Sequence, residues 1–410
     1  MAPAVDNTSF PETRGGTSMF AAGPLDRLSL IAYPRQVPDV RITDVEAFYL
    51  RQPVIHHQRT DSSQDALIVR VTTDAGVEGF GEVDGSPLVA KAVIEAPDSH
   101  SRARGLREVL LGENPMDTDR LWHKMYESTL YYGREGATIQ AMAGVDLALW
   151  DIKGKLLGQP VYALLGGAWR KEIRAYASHM FDLDPTVTAR RAAAARDAGF
   201  TAVKFGWEPM GPDPTLDETL VRGIRNAVGE SVDVCIDAGL AWDARTAIAR
   251  CKLFEPHNLL WLEEPLHPDD LRGYRVLTEA VAVPIAAGEE ECTVRGFLRL
   301  MDEGRLDIVQ IDMTRVGLTQ AVRIAWLAHQ RRIPCTNHNF TTDINVAAAA
   351  HFLCAIPNAL MLEYCVEPGP LRTGVVRDPI KVIDGYVTVP ESPGLGVEVD
   401  LSALEPFLVT

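Results

Sequence analysis

Seven titratable residues of this 410-residue chain each close a short apolar run: Lys204, Asp237, Glu263, Glu289, Asp312, His338 and Glu363. They follow one another at intervals of 33, 26, 26, 23, 26 and 25 residues. A carboxylate at the end of a run such as Val-Asp-Val-Cys-Ile-Asp237 or Leu-Trp-Leu-Glu263 sits where strand propensity disfavours it, so it needs a partner. Asp237, Glu263 and Glu289 come from three consecutive runs, and three carboxylates gathered closely do not all stay ionised without a cation. An all-oxygen set with no His or Cys at zinc spacing suits a hard ion, Mg²⁺, which leaves positions open to substrate oxygens. Asp312 and His338 close the next two runs. On neighbouring strands about 4.8 Å apart, a carboxylate beside an imidazole fixes its tautomer and raises its basicity, as a general base requires.

The interval itself is one strand followed by one helix. Strand-like runs end at Ser178, Gly206, Asp237, Pro265, Glu289, Asp312, His338 and Tyr364. Helical patterns such as Leu216–Val228, Ala244–Phe254, Leu271–Ala280 and Leu318–Gln330 separate them. Eight such units predict a parallel sheet closed into a (β/α) barrel of the TIM type over residues 171–370, with its chemistry at the strand ends. An open Rossmann-type sheet is the alternative, but no Gly-x-Gly-x-x-Gly follows a strand. Before the barrel, residues 39–170 read as an α+β capping domain. Val45–Leu50, Ala66–Thr72 and Val77–Glu82 are strands, the last two joined by Asp74-Ala75-Gly76. Ala137–Leu157 is a helix with apolar residues at spacings of three and four, ended by Gly158 and Pro160. After the barrel, residues 371–410 contain a hairpin with Asp384-Gly385 at its tip, expected to return to the capping domain. Residues 1–38, rich in Pro, Gly, Ser and Thr, read as an N-terminal arm.

Composition excludes other classes. With 40 basic and 56 acidic residues the net charge is −16, which offers no basic face for nucleic acid. The longest apolar run, Val346–Ile356, is interrupted by His351 and is too short for a membrane span. The opening MAPAVDNTSFPETRGG has neither a charged nor an apolar signal region. Six cysteines without a CxxC read as free thiols, so a cytoplasmic location is expected.

The residues also resemble a known family. Trp261-Leu-Glu-Glu-Pro265, Ala287-Gly-Glu289, Asp307-Ile-Val-Gln-Ile-Asp312, the His338 strand end and Met361-Leu-Glu-Tyr364 look like the enolase superfamily, and more narrowly its mandelate racemase subgroup. The helix Ala141–Lys153 with Leu164-Leu-Gly-Gly167 and the closing Pro393-Gly-Leu-Gly-Val-Glu398 are similar too. The resemblance implies a homo-oligomeric, Mg²⁺-dependent enzyme that removes a proton α to a carboxylate. It makes Asp237, Glu263 and Glu289 the metal ligands, His338 backed by Asp312 the base, and Glu363 a hydrogen-bonding electrophile at the substrate carboxylate. Lys204 matches the first lysine of the family's Lys-x-Lys, but Gly206 stands where the second catalytic base would be, and Gly239 where the family often has Asn. Lys204 is therefore expected to neutralise the substrate carboxylate, or else to serve as a salt-bridge partner of a ligand.

The expected activity is that of a hydro-lyase: dehydration of an aldonate or aldarate to a 2-keto-3-deoxy acid, with a small carboxylate as the partner molecule. The acid for the leaving hydroxyl is left open between protonated His338, Lys204 and Tyr132. Expected substrate contacts are Lys204, Glu363, His179 just past the first barrel strand, and His56, Tyr132 and Arg134 from capping loops, with His57, Arg59 and Asp84-Gly85-Ser86 nearby. A racemase or epimerase needs a second base. A catalytically silent sugar-acid binder leaves an intact ligand set unexplained. A glycosidase leaves a third carboxylate and the dyad unexplained.

Overall fold

The computed structural model of the chain describes residues 39–57 and 59–409; the expected N-terminal arm lies outside the described residues. Three strands, β1 (Ile42–Arg51), β2 (Asp65–Thr73) and β3 (Glu78–Val83), form an antiparallel meander. The helix Ala137–Leu157 lies across it. Contact between strand and helix is close enough that a Cβ on Gly81 would come within 1.9 Å of the Gly144 carbonyl oxygen, so only glycine fits there. The capping core is filled by Val69, Val71, Leu121, Met142, Val145 and their neighbours.

Eight parallel strands follow: β4 (Glu172–Met180), β5 (Ala202–Gly206), β6 (Asp233–Asp237), β7 (Trp261–Glu263), β8 (Ile285–Ala287), β9 (Ile308–Ile311), β10 (Cys335–Asn337) and β11 (Leu362–Cys365). Each pairs with the next from β4 to β10, and β11 returns to pair with β4. Backbone bonds around Cys335, to Asn358 and from Leu360, both 2.8 Å, close the ring between β10 and β11. The barrel expected from the eight units is therefore present. Its strand helices include Ala244–Phe254, Leu271–Ala280 and Leu318–Gln330, which coincide with the helical patterns in the sequence.

Strand periodicity divides the barrel interior into a plug and a mouth. Tyr176, Ala202, Cys235, Trp261, Ala286, Ile308 and Met361 pack together as a buried apolar layer. Two residues further along five of those strands, on the same face, stand Ser178, Lys204, Asp237, Glu263 and Glu363. Apolar side chains fill the floor, and the polar set is lifted to the end where the loops begin.

The C-terminal hairpin, β12 (Val382–Ile383) with β13 (Tyr386–Thr388), differs in its partner from the sequence reading: β13 pairs antiparallel with β4 at Tyr386↔Arg174, beside the barrel. The return to the capping layer is made by the residues after it. Leu395 N–H donates to Asp151 (2.9 Å), the Gly394 carbonyl accepts from Val161 (3.0 Å), and Val409 N–H reaches the Tyr49 carbonyl (2.8 Å). No helix among the described residues is long and apolar enough to cross a membrane.

Two side chains at the end of β3 reach from the cap into the barrel. Buried Glu82 accepts from the Thr342 hydroxyl (2.8 Å) and from the amides of Thr342 and Asn345 (3.2 and 3.3 Å). Asp84 accepts from Arg315 at 3.0 and 3.2 Å. Burial pushes the Glu82 carboxyl up to about 8, against the hydrogen bonds from Thr342 that favour its charge.

Candidate active site

Asp237 and Glu263 end β6 and β7, Glu289 lies two residues past β8, and each offers an oxygen within 4.8 Å of the others in a fully buried cluster. Burial raises Asp237 well above the ordinary carboxylate range, with the Glu263 charge adding to it. Burial likewise raises Glu289 to about 7. Such a set is under-neutralised by its protein neighbours, and a dication fits it: three hard oxygen donors, no nitrogen or sulfur, and open space on one side. Trp261 lies two residues before Glu263 on the same face, and its indole N–H donates to Glu263 Oε2 at 2.9 Å, while Gly239 N–H fixes Asp237 Oδ1 at 2.8 Å. These bonds orient the carboxylates.

His338 Nδ1 is 2.6 Å from Asp312 Oδ2. Oδ1 of Asp312 accepts from the Thr314 amide (2.6 Å), the Thr314 hydroxyl (2.5 Å) and Asn345 (3.2 Å). Burial works to raise the Asp312 carboxyl, but the hydrogen bond and charge of His338, with Arg315 and Thr314, hold it below its usual value. An ionised, fully engaged Asp312 keeps the proton on Nδ1 and leaves Nε2 facing the ligand set, 3.7 Å from Glu289 Oε2. Burial opposes the imidazolium, yet the Glu289 and Asp312 charges outweigh it and bring His338 up to about 10; a cation held by Glu289 would offset the larger of the two and return the imidazole toward its basic form.

Lys204 is held on the other side of the mouth. Its Nζ donates to Glu263 and lies 2.7 Å from Glu363 and 3.9 Å from Asp237. Burial disfavours its charge, but Glu263 and Glu363 more than compensate, so the ammonium is held well above its usual range. Glu363 is engaged at both oxygens. Oε1 accepts from Ser178 (2.7 Å) and faces Lys204, and Oε2 accepts from the Asn339 amide (2.8 Å). Burial would raise its carboxyl, but Lys204 and His338 hold it low. All of these contacts are ones in which Glu363 accepts.

A cavity of about 80 Å³ opens among them, lined by Lys204, Asp237, Glu289, His338, His179 and Trp207, with Ser178, Met180, Phe340 and Arg315 around them and Thr60 and Ser62 at the cap side. His179 lines the cavity, from within β4 and not from past its end as expected. His56, Tyr132 and Arg134 do not: all three are exposed residues outside the lining. The Tyr132 hydroxyl is spent on the Arg104 carbonyl at 2.6 Å, which also removes it as the acid for a leaving group. The residues the sequence reading missed are Trp207, Met180, Phe340 and Arg315. Arg315 had a visible signal, since Asp312-Met-Thr-Arg315 opens a helical turn capped by Asp312 and turns the guanidinium back toward Asp84 and the Glu289 carbonyl. Nothing local announces the Trp207 wall.

Both glycine departures now have a cause. A Cβ on Gly206 would lie 2.7 Å from Asp237 Cβ, and one on Gly239 would lie 2.9 Å from the Trp207 ring.

Comparison with known proteins bears on the same architecture. Residues 39–166 match the mandelate racemase/muconate lactonizing enzyme N-terminal domain, and residues 187–403 match the enolase C-terminal domain-like family. The chain is 32% identical to D-xylonate dehydratase of Haloferax volcanii, over 91% of this chain and 90% of that protein. It is 30% identical to D-galactarolactone cycloisomerase of Agrobacterium fabrum, over 83% and 90%. The crystal structure of 3,6-anhydro-D-galactonate cycloisomerase from Zobellia galactanivorans superposes with a TM-score of 0.82 at 32% identity, covering 90% of this chain and all (100%) of that one. A capping meander, a barrel with three acidic strand ends and an Asp–His pair on the next two strands, matched along both parts of the chain, make this protein a member of the mandelate racemase subgroup of the enolase superfamily.

Proposed function

We propose that the protein is a Mg²⁺-dependent hydro-lyase that dehydrates an acid sugar to a 2-keto-3-deoxy acid. Asp237, Glu263 and Glu289 would hold the ion. When bound, Mg²⁺ draws electron density from a substrate carboxylate and makes the α-proton more acidic. His338 Nε2 takes that proton, with Asp312 bonded to Nδ1 stabilising the imidazolium that results. Lys204, pinned by Glu263 and Glu363, neutralises charge at the carboxylate end. The C2–H electron pair forms C2=C3 as the C3–O bond breaks. The proton on His338 leaves with the hydroxyl as water from the same face, and the enol tautomerises to the keto acid.

One observation carries the reading. At the strand end after Lys204, where a second base would face the substrate, stands Gly206, and Lys204 itself is a tethered ammonium. Racemisation needs protonation from either face, whereas syn elimination needs one group. The relatives named for dehydration support the same reading.

The test is a panel of aldonic and aldaric acids with Mg²⁺ in D₂O, followed by proton NMR so that keto acid, epimer and cycloisomer are all visible. A 2-keto-3-deoxy product without C2 epimer is expected, together with a loss of at least about 10²-fold in His338→Asn. Steady build-up of the C2 epimer at a rate comparable to keto-acid formation would overturn the reading.

A further inference from the structure

The wall facing the ligand set is apolar and aromatic. Trp207, Met180 and Phe340 pack with Cys365 at the cavity, directly after the strand end where the family's second lysine is missing. Trp207 has φ +68°, an uncommon conformation for a bulky side chain, and its N–H donates to the Asp237 carbonyl at 3.2 Å. Its ring occupies the space a side chain at residue 239 would need. Strain of this kind persists where the surroundings hold it, and here the strained residue lines the cavity.

The charges of the lining are already matched. Among the described residues, its cationic side chains besides His338 and His179 are Lys204, bound to Glu263 and Glu363, and Arg315, bound to Asp84, the Glu289 carbonyl and, at 3.6 Å, Glu290. His179 stacks on Phe205 with Nδ1 3.4 Å from Glu367, whose carboxylate also meets Arg191 at 3.3 Å and Arg59 at 3.5 Å. A carboxylate only accepts, so Nδ1 carries a proton. His179 Nε2 is buried, unpartnered and on a residue lining the cavity. A hydroxyl satisfies Nε2 in either protonation state. A second carboxylate would lie against the apolar wall and meet an acceptor at Nε2 while His179 is neutral, and the arginines nearest that ring, Arg191 and Arg59, are already bound to Glu367.

We infer that the site selects monocarboxylic aldonates over the matching dicarboxylic aldarates, with Trp207 and His179 Nε2 as the elements that enforce the choice. This inference rests on the acid-sugar reading above, since it assumes one carboxylate at the metal end. Chain carbons of the substrate lie against the indole, and a distal hydroxyl meets Nε2.

The experiment is calorimetric titration of Mg²⁺-loaded His338→Asn protein with matched pairs: D-gluconate and D-glucarate, D-galactonate and galactarate, D-xylonate and xylarate. Inhibition of the unmodified enzyme by each aldarate is the parallel measurement should that variant fold poorly. For the configuration bound best, the aldonate should bind at least roughly tenfold tighter than its aldarate. Trp207→Ala should weaken the aldonate roughly five- to tenfold, and Trp207→Phe, which keeps an apolar ring, less than about threefold. An aldarate bound as tightly as its aldonate, or an unaffected Trp207→Ala, overturns the inference, as does binding of neither acid. Dehydration of an aldarate alone would leave the dehydratase reading standing while this one falls. Aldonate preference without dehydration would do the reverse.

Discussion

Gly206→Ala is the smallest change that tests how the metal site is assembled. Gly206 and Asp237 are register partners on β5 and β6. The added Cβ would come to 2.7 Å from Asp237 Cβ and 2.9 Å from both Cγ and Oδ2. Gly206 has no left-handed backbone to strain, so space alone decides. Cβ of Asp237 is fixed by its strand and cannot swing clear as a long side chain would. Relief requires β5 and β6 to part or the Asp237 carboxylate to leave its place. Overpacking of this kind costs about 1–3 kcal/mol. Taken wholly from the metal site, that weakens Mg²⁺ by roughly 5- to 150-fold. Taken from the fold, it appears as lower stability with Mg²⁺ present. Mg²⁺ titration by calorimetry, with thermal unfolding measured with and without the ion, reads both shares. A variant whose Mg²⁺ affinity and unfolding temperature both equal the parent's would refute the reasoning and would mean that Gly206 is not there to make room for a ligand.

Chelation should abolish turnover and Mg²⁺ restore it, and Glu289→Gln should lose metal affinity while circular dichroism stays unchanged; full activity after stripping contradicts the ligand assignment. Asp312→Asn removes the charge and hydrogen bond that help raise His338, so kcat should fall and the acidic limb of the pH–rate profile should move to lower pH. An unmoved limb makes the pair structural. Glu82 is raised from 4.5 to about 8 by burial, so the folded chain keeps a proton that the unfolded chain has released. Its contribution to stability is complete below about pH 4.5 and declines by about 1.4 kcal/mol per pH unit as pH rises toward 8. Glu82→Gln should flatten that part of the stability–pH curve measured by denaturant titration, and an unchanged slope contradicts the assignment.

The barrel and its ligand set were legible because each is repeated. Every unit presents an apolar run, a polar terminus and a helix, so Asp237, Glu263, Glu289, Asp312 and His338 could be aligned by spacing before any geometry was known. Trp261 was legible in principle by strand alternation, two residues before the ligand it orients. The substrate side was not, because loops carry no periodicity. Tyr132 and Arg134 have the right chemistry for a polyhydroxy acid, but the Tyr132 hydroxyl ends on a backbone carbonyl. Glu363 was placed correctly at its strand end, while its role depended on Ser178, Lys204 and Asn339 arriving from elsewhere in the chain. The hairpin was seen, but the strand that receives it was not, since β12 and β13 are two and three residues long and carry little pattern.

The contacts of Glu82 and Asp84 have a kinetic consequence. Two residues apart at one strand end, they tie the cap to the loops after β10 and β9 respectively, the first through a buried triple acceptor and the second through an ion pair. A cap moored on that flank does not swing away as a rigid lid, because opening would break both sets of bonds at once. Thr60 and Ser62, which lie between β1 and β2, also line the cavity, and the Ser62 hydroxyl donates to the Phe340 carbonyl at 3.4 Å. Substrate exchange past those two residues would break one long hydrogen bond, where lifting the cap breaks both sets at once.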